Sequence, residues 1–512
     1  MVGKCRNMFI FVPQIICMKF WRKYHKWAGI GLSFFLLLFA LSGIVLNHRE
    51  AFSSIDIPRS LLSSSYQYHN WNNAALRGGI DLDSTRTLYY GNVGCWEYSK
   101  PDDRWSDYNT GFPKGSDNRK ISKVIKTNNK RLFAGTLFGL YEYRNDQWEK
   151  ISLGLKHERI TDLIEVDDQL HILTRSELGL LDLTRKQLHF SYLPTPAGYQ
   201  KTSSLFKTIW LLHSGEILGL TGKIIVDLIA LIFLFLLVTG IIWFISPAQI
   251  KRAKKRMKKT VYQKKAFRFS VKWHNKLGFY FIAFMVFTTF TGIFLRPPLL
   301  IAIANAQVKS IPYTMLDTPN AWYDQLRAIR FNSHHQMYFV STAKGMFALT
   351  SDQKEMVPVP HQPPVSVMGI NVFEEQSTDR YLVGSFSGLY LWNPIEQTTH
   401  HAFTGQIYRP PTGMARPIGE HMAAGYYADH HHSYYYDYNT GAHALNKGSF
   451  PVMPDEIKEA SPLSLWNLAL EIHTGRIFQD VLGAFYILIV PLTGIATLIL
   501  LFSGLWIWWK KY

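Results

Sequence analysis

Four histidines stand at repeated positions in apolar segments, where imidazole side chains could bind a metal cofactor. The segments YHKWAGI and WHNKLGF each place an aromatic residue before a histidine and a glycine four residues after it, at His25 and His274. The segments LHSGEIL and IHTGRIF share a second pattern, at His213 and His473. A lone histidine here would be read as an interfacial anchor, but four at matched positions favour a shared function.

The chemistry that this arrangement predicts is axial ligation of haem iron. Two neutral imidazoles that face each other across a helix bundle are the ligand set of a six-coordinate haem. We expect His25 and His274 to hold one haem b at the inner membrane face, and His213 and His473 a second one at the outer face. Zinc fits less well, because two ligands per face without a nearby cysteine or acid make a poor tetrahedral set. The alternative is that all four are interfacial anchors.

Small residues recur in the same segments. Glycines beside the ligands would let a flat macrocycle approach the backbone, as small residues do at helix contacts. The pairs are Ser42-Gly43, Thr239-Gly240, Thr291-Gly292 and Ser503-Gly504.

Further ionisable residues lie near the predicted outer face. His48, in LNHRE, could replace an outer ligand or hold a haem propionate, and Arg49 and Arg296 could neutralise propionates. Lys223 and Asp227 are one helical turn apart, so we expect them to pair.

Four apolar runs in this 512-residue chain predict helices that cross a bilayer, since each reaches the ~20 residues that a span requires. Lys and Arg flank the inner ends, most densely in KRAKKRMKK, which places these ends in the cytoplasm by the positive-inside rule. The net charge of +18 therefore reflects topology and contact with anionic lipid rather than binding of nucleic acid.

The two long outer loops carry a β-repeat. Alternating strands joined by a turn ending in glycine recur about every 40–45 residues, a period typical of β-propeller blades. A sixth, degenerate copy spans 423–441. We expect the two loops to combine into one six-bladed propeller, because three blades alone would leave open sheet edges; two separate small β domains are the alternative. The glycines are Gly94, Gly139, Gly179, Gly345 and Gly388.

These patterns predict a duplicated unit of helix, outer domain and helix: a four-helix transmembrane bundle with an all-β periplasmic part. In chain order we expect a cytoplasmic segment 1–24, helix 25–48, the first half-propeller 49–212, helix 213–246, a basic cytoplasmic loop 247–273, helix 274–304, the second half-propeller 305–472, helix 473–509 and a cytoplasmic tail 510–512.

The second outer loop is rich in histidine. His430, His431 and His432 are weak candidates for an iron or copper site, since imidazole suits both metals. The doublet His334-His335 would offer one ligand per face if it lay in a strand. The alternative is that these side chains fill an exposed blade edge.

The four spans resemble the PepSY-associated transmembrane helix family of bacterial inner-membrane proteins. The resemblance rests on HKWAG with SGIVLNHRE, LHSGEILGLTGK with TGIIWFI, WHNKLG with TGIFL, and IHTGR with SGLWIWW. No PepSY domain is recognisable in the outer loops.

The family includes haem-containing reductases of ferric siderophores. The resemblance therefore implies iron acquisition at the inner membrane, with haem held by His25, His274, His213 and His473. His48 is the alternative ligand at the outer face. No dinucleotide-binding fingerprint appears, so a quinol or a separate reductase would donate the electrons. The competing hypothesis is a haem-free sensor or scaffold whose propeller binds a partner.

Overall fold

The computed structural model describes residues 6–350, 352, 354–410, 418–446 and 448–510, with side chains from Met18 onward. Parts of the predicted N-terminal segment 1–24 and tail 510–512 therefore lie outside the described residues. The chain divides into two compact units. A helical unit comprises Met1–Phe52, Lys201–Asp317 and Leu465–Tyr512, and a β unit comprises Ser53–Gln200 and Thr318–Ser464.

Ten α-helices are present in the described residues, and all but α7 belong to the helical unit. Within that unit α1 packs against α3, α8 and α10, and α5 packs against α2 and α10. The helices are α1 (Arg6–Asn47), α2 (Leu205–Ser214), α3 (Gly219–Lys255), α4 (Val261–Tyr280), α5 (Ile282–Ile293), α6 (Leu299–Ile303), α7 (Asp455–Glu459), α8 (Leu465–His473), α9 (Gln479–Leu482) and α10 (Ile489–Trp509).

Three helical segments of the described chain are long and apolar enough to cross a membrane: Met18–Asn47, Glu216–Lys255 and Arg476–Trp509. The chain is therefore a membrane protein. The segment predicted as a further continuous span, 274–304, is broken instead. Helices α4 and α5 meet at a bend of 66°, so this pair counts as a span only if a bent helix crosses.

Local sequence explains the break. Phe281 has φ −104° and ψ 7°, outside the helical region, and separates the cation-rich α4 from the uncharged α5. Helix α5 ends at Ile293, and Pro297 disfavours a helical Arg296 beyond that end, since a residue before proline avoids the α conformation. The continuous apolar stretch is thus shorter than the hydropathy pattern indicated.

His213 and His473 lie in short helices that precede the spans, not at the first residues of the spans as expected. Ser204 caps α2 by accepting a hydrogen bond from the Lys207 N–H at 3.1 Å. Both short helices end where a glycine follows the His-[Ser/Thr] pair. Gly215 and Gly475 each have φ +75°, the left-handed conformation that terminates helices.

The described part of the β unit contains six antiparallel sheets of three or four strands, each built from strands consecutive in sequence, and one two-stranded sheet that is described below. The strands are Leu76–Asp81, Arg86–Gly91, Gly94–Ser99 and Arg104–Asp107 in sheet 1; Ile121–Lys126, Leu132–Thr136, Gly139–Arg144 and Gln147–Ile151 in sheet 2; Ile160–Val166, Gln169–Thr174, Leu178–Asp182 and Leu188–Ser191 in sheet 3; Leu326–Asn332, Met337–Thr342, Gly345–Thr350 and Met356–Pro358 in sheet 4; Ile370–Ser377, Arg380–Ser385, Gly388–Asn393 and Thr398–His401 in sheet 5; and Ala423–Ala428, Ser433–Asp437 and Gly441–Ala444 in sheet 6.

The first strand of each sheet lies against the first strand of the next, and that of sheet 6 lies against that of sheet 1. Hydrophobic clusters fill the spaces between neighbouring sheets. Four tryptophans are fully buried among them: Trp71, Trp148, Trp322 and Trp392. Burial of these large aromatic side chains contributes strongly to the stability of sheets that each have few strands.

Four of the five glycines predicted to end a turn do so, and the fifth does not. Gly94, Gly139, Gly345 and Gly388 begin strands with positive φ. Gly179 instead lies within Leu178–Asp182, because the turn before that strand is made by 175–177. A pair of two-residue strands, Asp56–Ile57 and Leu463–Ser464, joins the first and last segments of the β unit.

Candidate functional site

The structure brings the four repeated histidines together in two pairs within the helical unit. The rings of His25 and His274 have centres 6.3 Å apart and planes at 89°. The rings of His213 and His473 have centres 6.0 Å apart and planes at 54°. Each pair combines one histidine from each half of the duplicated chain, as the repeat predicts.

These separations fit axial ligation of one metal ion. Metal–imidazole bonds of about 2.0–2.1 Å and a ring radius of roughly 1.1 Å place two opposite ring centres about 6.2 Å apart. The angle between the ring planes does not matter, because each imidazole can rotate about its metal–nitrogen bond. The residues present therefore fit a haem iron held between each pair.

Hydrogen bonds engage the Nδ1 atom of each of these histidines and thereby select Nε2 as the metal-binding nitrogen. His25 Nδ1 lies 3.2 Å from the Leu500 carbonyl oxygen and 2.9 Å from Ser503 Oγ. His213 Nδ1 lies 3.0 Å from the Thr288 carbonyl oxygen. A protonated Nδ1 that donates to these oxygens leaves the Nε2 lone pair available for a metal, the usual arrangement of a ligating histidine.

The other member of each pair is held in the same way. His473 Nδ1 lies 3.1 Å from the Phe39 carbonyl oxygen and 3.0 Å from Ser42 Oγ. His274 Nδ1 lies 3.1 Å from Thr239 Oγ1. The serine and threonine of the four small pairs thus each contact one imidazole, a role that the sequence reasoning missed, although their recurrence in all four segments was a visible signal.

The glycine of each small pair makes room for an imidazole. A Cβ atom placed on Gly292 would lie 2.8 Å from His213 Cε1, and one on Gly504 would lie 3.0 Å from His25 Cε1. On Gly43 and Gly240 the corresponding distances, to His473 and His274, are 3.3 and 3.4 Å. These glycines admit the ligand ring, whereas the sequence had suggested that they admit the macrocycle.

His48 is engaged elsewhere. Its Nε2 lies 2.5 Å from Asp227 Oδ2, and Asn47 Nδ2 donates to Asp227 Oδ1 at 3.0 Å. Lys223 contacts Glu216 at 3.2 Å and not Asp227. The expected Lys223–Asp227 pair is therefore wrong, because Asp227 faces the end of α1 while Lys223 reaches back seven residues, about two turns, to Glu216. The structure places His48 with Asp227 and not with either outer histidine.

Two arginines close in sequence to the outer pair carry buried guanidinium atoms. Arg296 follows Gly292, and Arg476 follows His473. The Nε atoms of both arginines are buried without a hydrogen-bond partner among the described residues. The Arg476 guanidinium is already ion-paired with Glu471. Because a buried unsatisfied donor is costly, Arg296 is the one of the two whose position suits an anionic group, such as a haem propionate. Arg49, the other propionate candidate, has its guanidinium carbon 3.7 Å from the Trp466 ring centre.

The histidine triplet of the β unit forms no comparable arrangement. Asp429 accepts hydrogen bonds from the backbone N–H groups of His431 and His432, which fixes a turn. Among the described residues, neither these two nor His430 belongs to a set of three metal-ligating groups.

Comparison with known proteins gives one extended match. A sequence profile of the PepSY-associated TM region matches residues 22–511. No curated protein matches significantly.

Solved structures give distant likenesses. The extracellular domain of a putative hybrid two-component system from B. thetaiotaomicron aligns with 73% of this chain at 12% identity and a TM-score of 0.36. The alignment covers 33% of that protein, so this chain spans about a third of its length. A protein of unknown function from Bacteroides thetaiotaomicron aligns over 74% of this chain and 73% of its own, at 10% identity and a TM-score of 0.35.

Proposed function

The chain belongs to the PepSY-associated TM region family, and from that premise we propose that it is a haem-b electron-transfer protein of the bacterial inner membrane. The observation that carries the proposal is the pairing of His25 with His274 and of His213 with His473 at ring separations that suit one iron each. When bound, haem iron alternates between ferric and ferrous states and so carries one electron at a time.

The protein's own residues set the conditions for that transfer. The hydrogen bonds at the four Nδ1 atoms orient the imidazoles and increase their basicity, which favours the ferric state of a bound haem. The partly buried helical surroundings oppose any added charge, and Arg296 would compensate such a charge at the outer pair. Side-chain orientation and local charge are thus the means by which this chain tunes a bound haem.

We further propose four transmembrane segments, with α4 and α5 together forming the third. The cation-rich stretch 251–276 and Lys510 support a cytoplasmic location for the inner ends, and hence a periplasmic β unit. Anionic lipid is the natural contact for these cations.

For the β unit we propose a six-bladed propeller made from both outer loops. The cyclic contact of first strands supports it. So does an ion network on those strands: Lys123 of sheet 2 lies 2.5 Å from Glu374 of sheet 5, and Arg330 of sheet 4 lies 2.6 Å from Asp162 of sheet 3. Sheets 2 and 5 are three places apart in the cycle, so this contact is the one expected across a central axis.

The acceptor that we propose is a ferric siderophore or other ferric chelate in the periplasm, and the donor is quinol or a separate reductase. Iron is the class of acceptor that the family resemblance implies, and the haem held by the outer histidine pair would deliver single electrons to it at the periplasmic face.

The test is the absorption spectrum of the full-length protein purified in detergent. We expect a Soret band and, after dithionite, a split α band. His274→Ala and His473→Ala should each remove about half of the haem, because each leaves one pair intact. His431→Ala, at a histidine in a surface turn, is the matched control and should leave the haem content unchanged.

A second readout tests the acceptor. Protein reduced anaerobically and freed of dithionite should lose its α band when ferric citrate is added. A correctly folded, colourless protein would overturn the haem assignment and favour the sensor or scaffold function. If the protein contains haem but ferric citrate does not reoxidise it, the haem assignment stands and the proposed ferric acceptor is refuted.

A further inference from the structure

Two turns of neighbouring sheets in the β unit bring three metal-ligating groups together. The turn 333–336 of sheet 4 carries His334 and His335, and the turn 378–379 of sheet 5 carries Asp379. One nitrogen from each imidazole and one carboxylate oxygen all lie within 4.8 Å of one another. Because the histidines lie in a turn and not in a strand, they do not point to opposite faces, which is how the doublet supplies two ligands.

The separations match the edges of a coordination polyhedron. His334 Nδ1 lies 3.2 Å from His335 Nε2, and His335 Nε2 lies 3.1 Å from Asp379 Oδ2. Two ligand atoms that are about 2.0–2.1 Å from one ion, at a bond angle of roughly 90–110°, lie about 2.9–3.4 Å apart. The site therefore needs little rearrangement to accept an ion.

A buried asparagine orients the ligands. Asn332 is 1% exposed. Its Oδ1 accepts the His335 backbone N–H at 2.9 Å, and its Nδ2 donates to Asp379 Oδ1 at 2.7 Å and to Tyr381 Oη at 3.0 Å. Asp379 Oδ1 is thus occupied by the asparagine while Oδ2 faces the imidazoles, an outer-shell arrangement typical of metal sites.

We propose that His334, His335 and Asp379 form a binding site for a divalent transition-metal ion of the zinc type. Two imidazoles and one carboxylate are a ligand set for Zn²⁺ and its first-row neighbours, and a poor one for Ca²⁺ or Mg²⁺, which take oxygen ligands. Because His334 is exposed, the remaining coordination positions face solvent and accept water or a group from a ligand.

Zinc titration of the intact protein tests the site. The affinity tag is removed, the protein is stripped of metal in detergent, and Zn²⁺ is shared with a chromophoric chelator of known affinity. We expect one equivalent bound by the unaltered protein, and at least about tenfold weaker binding after His334→Ala or Asp379→Asn.

His431→Ala is the matched control, since it removes an imidazole from a turn in the same unit without touching the site; its zinc affinity should equal that of the unaltered protein. His334 is exposed, so its replacement leaves the fold intact, which a thermal melt verifies. The proposal is overturned if the unaltered protein binds no zinc, or if His334→Ala and His431→Ala bind it equally well.

Discussion

The two histidine pairs reach nearly the same ring separation by different structural routes. His25 and His274 lie inside the long helices α1 and α4, so helical register alone sets their positions. His213 and His473 lie at the ends of the short helices α2 and α8, next to glycines in the left-handed conformation. The inner pair therefore depends on packing between helices, whereas the outer pair also depends on where a helix stops.

Within each histidine pair, one glycine approaches its imidazole more closely than the other does. At the outer pair a Cβ atom on Gly292 or Gly43 would lie 2.8 or 3.3 Å from the ring, and at the inner pair one on Gly504 or Gly240 would lie 3.0 or 3.4 Å away. Variants at the tightest and the loosest of these glycines can be compared if each histidine pair is observed alone. A His274→Ala background reports the outer pair, and a His473→Ala background reports the inner pair.

The largest effect is expected from a methyl group on the tightest glycine. Gly292→Ala, in the His274→Ala background, should abolish most of the remaining haem absorbance, because its Cβ would lie 2.8 Å from His213 Cε1. Gly240→Ala, in the His473→Ala background, should retain most of it, because 3.4 Å needs only a small shift. Equal losses in both backgrounds would contradict the proposed role of these glycines.

A smaller effect is expected from the helix terminus. Gly475→Ala places a Cβ atom at φ +75°, which costs about 1–2 kcal/mol for a residue other than glycine. In the His274→Ala background, haem affinity measured by competition should fall about five- to thirtyfold. The same substitution should leave the haem of the His473→Ala background unchanged, and a loss there would show that the effect is general destabilisation.

The smallest effect is expected from one hydrogen bond. Thr239→Val keeps the shape of the side chain but removes the oxygen 3.1 Å from His274 Nδ1. A net loss of about 0.5–1.5 kcal/mol corresponds to up to about tenfold weaker binding of the inner haem. Spectra in the His473→Ala background measure it, and Thr239→Ser, which retains the hydroxyl, should restore the affinity.

The pairing of the histidines could be predicted from the internal repeat, because duplicated halves place equivalent residues around a common axis. Their local setting could not be predicted in the same way. The glycine after each His-[Ser/Thr] is a helix-termination signal, but the apolar character of the following residues concealed it. For α4 and α5, the continuous apolar sequence likewise concealed a bend at Phe281, because no proline or glycine at that position marks it.

Side-chain partners were the least predictable feature. Lys223 and Asp227 have the spacing of a helical ion pair, yet Asp227 contacts His48 at the end of α1, and Lys223 contacts Glu216 in the 3-10 turn before α3. His334 and His335 were assessed with the geometry of a strand, although four residues between two strands form a turn. Both errors arise because sequence spacing predicts neighbours only within an element, whereas these contacts join different elements.

The cyclic contact among the six sheets has a consequence for biosynthesis. Sheets 1–3 precede Lys201–Asp317 in the chain and sheets 4–6 follow it, so the first half of the cycle leaves the ribosome before the second exists. Until translation supplies Ala423–Ala428, the first strand of sheet 1 lacks the neighbour that covers it. While the central helices are being synthesised, the first outer loop is therefore an incomplete folding intermediate that chaperones and proteases can reach. It completes its fold only when the second outer loop has been synthesised.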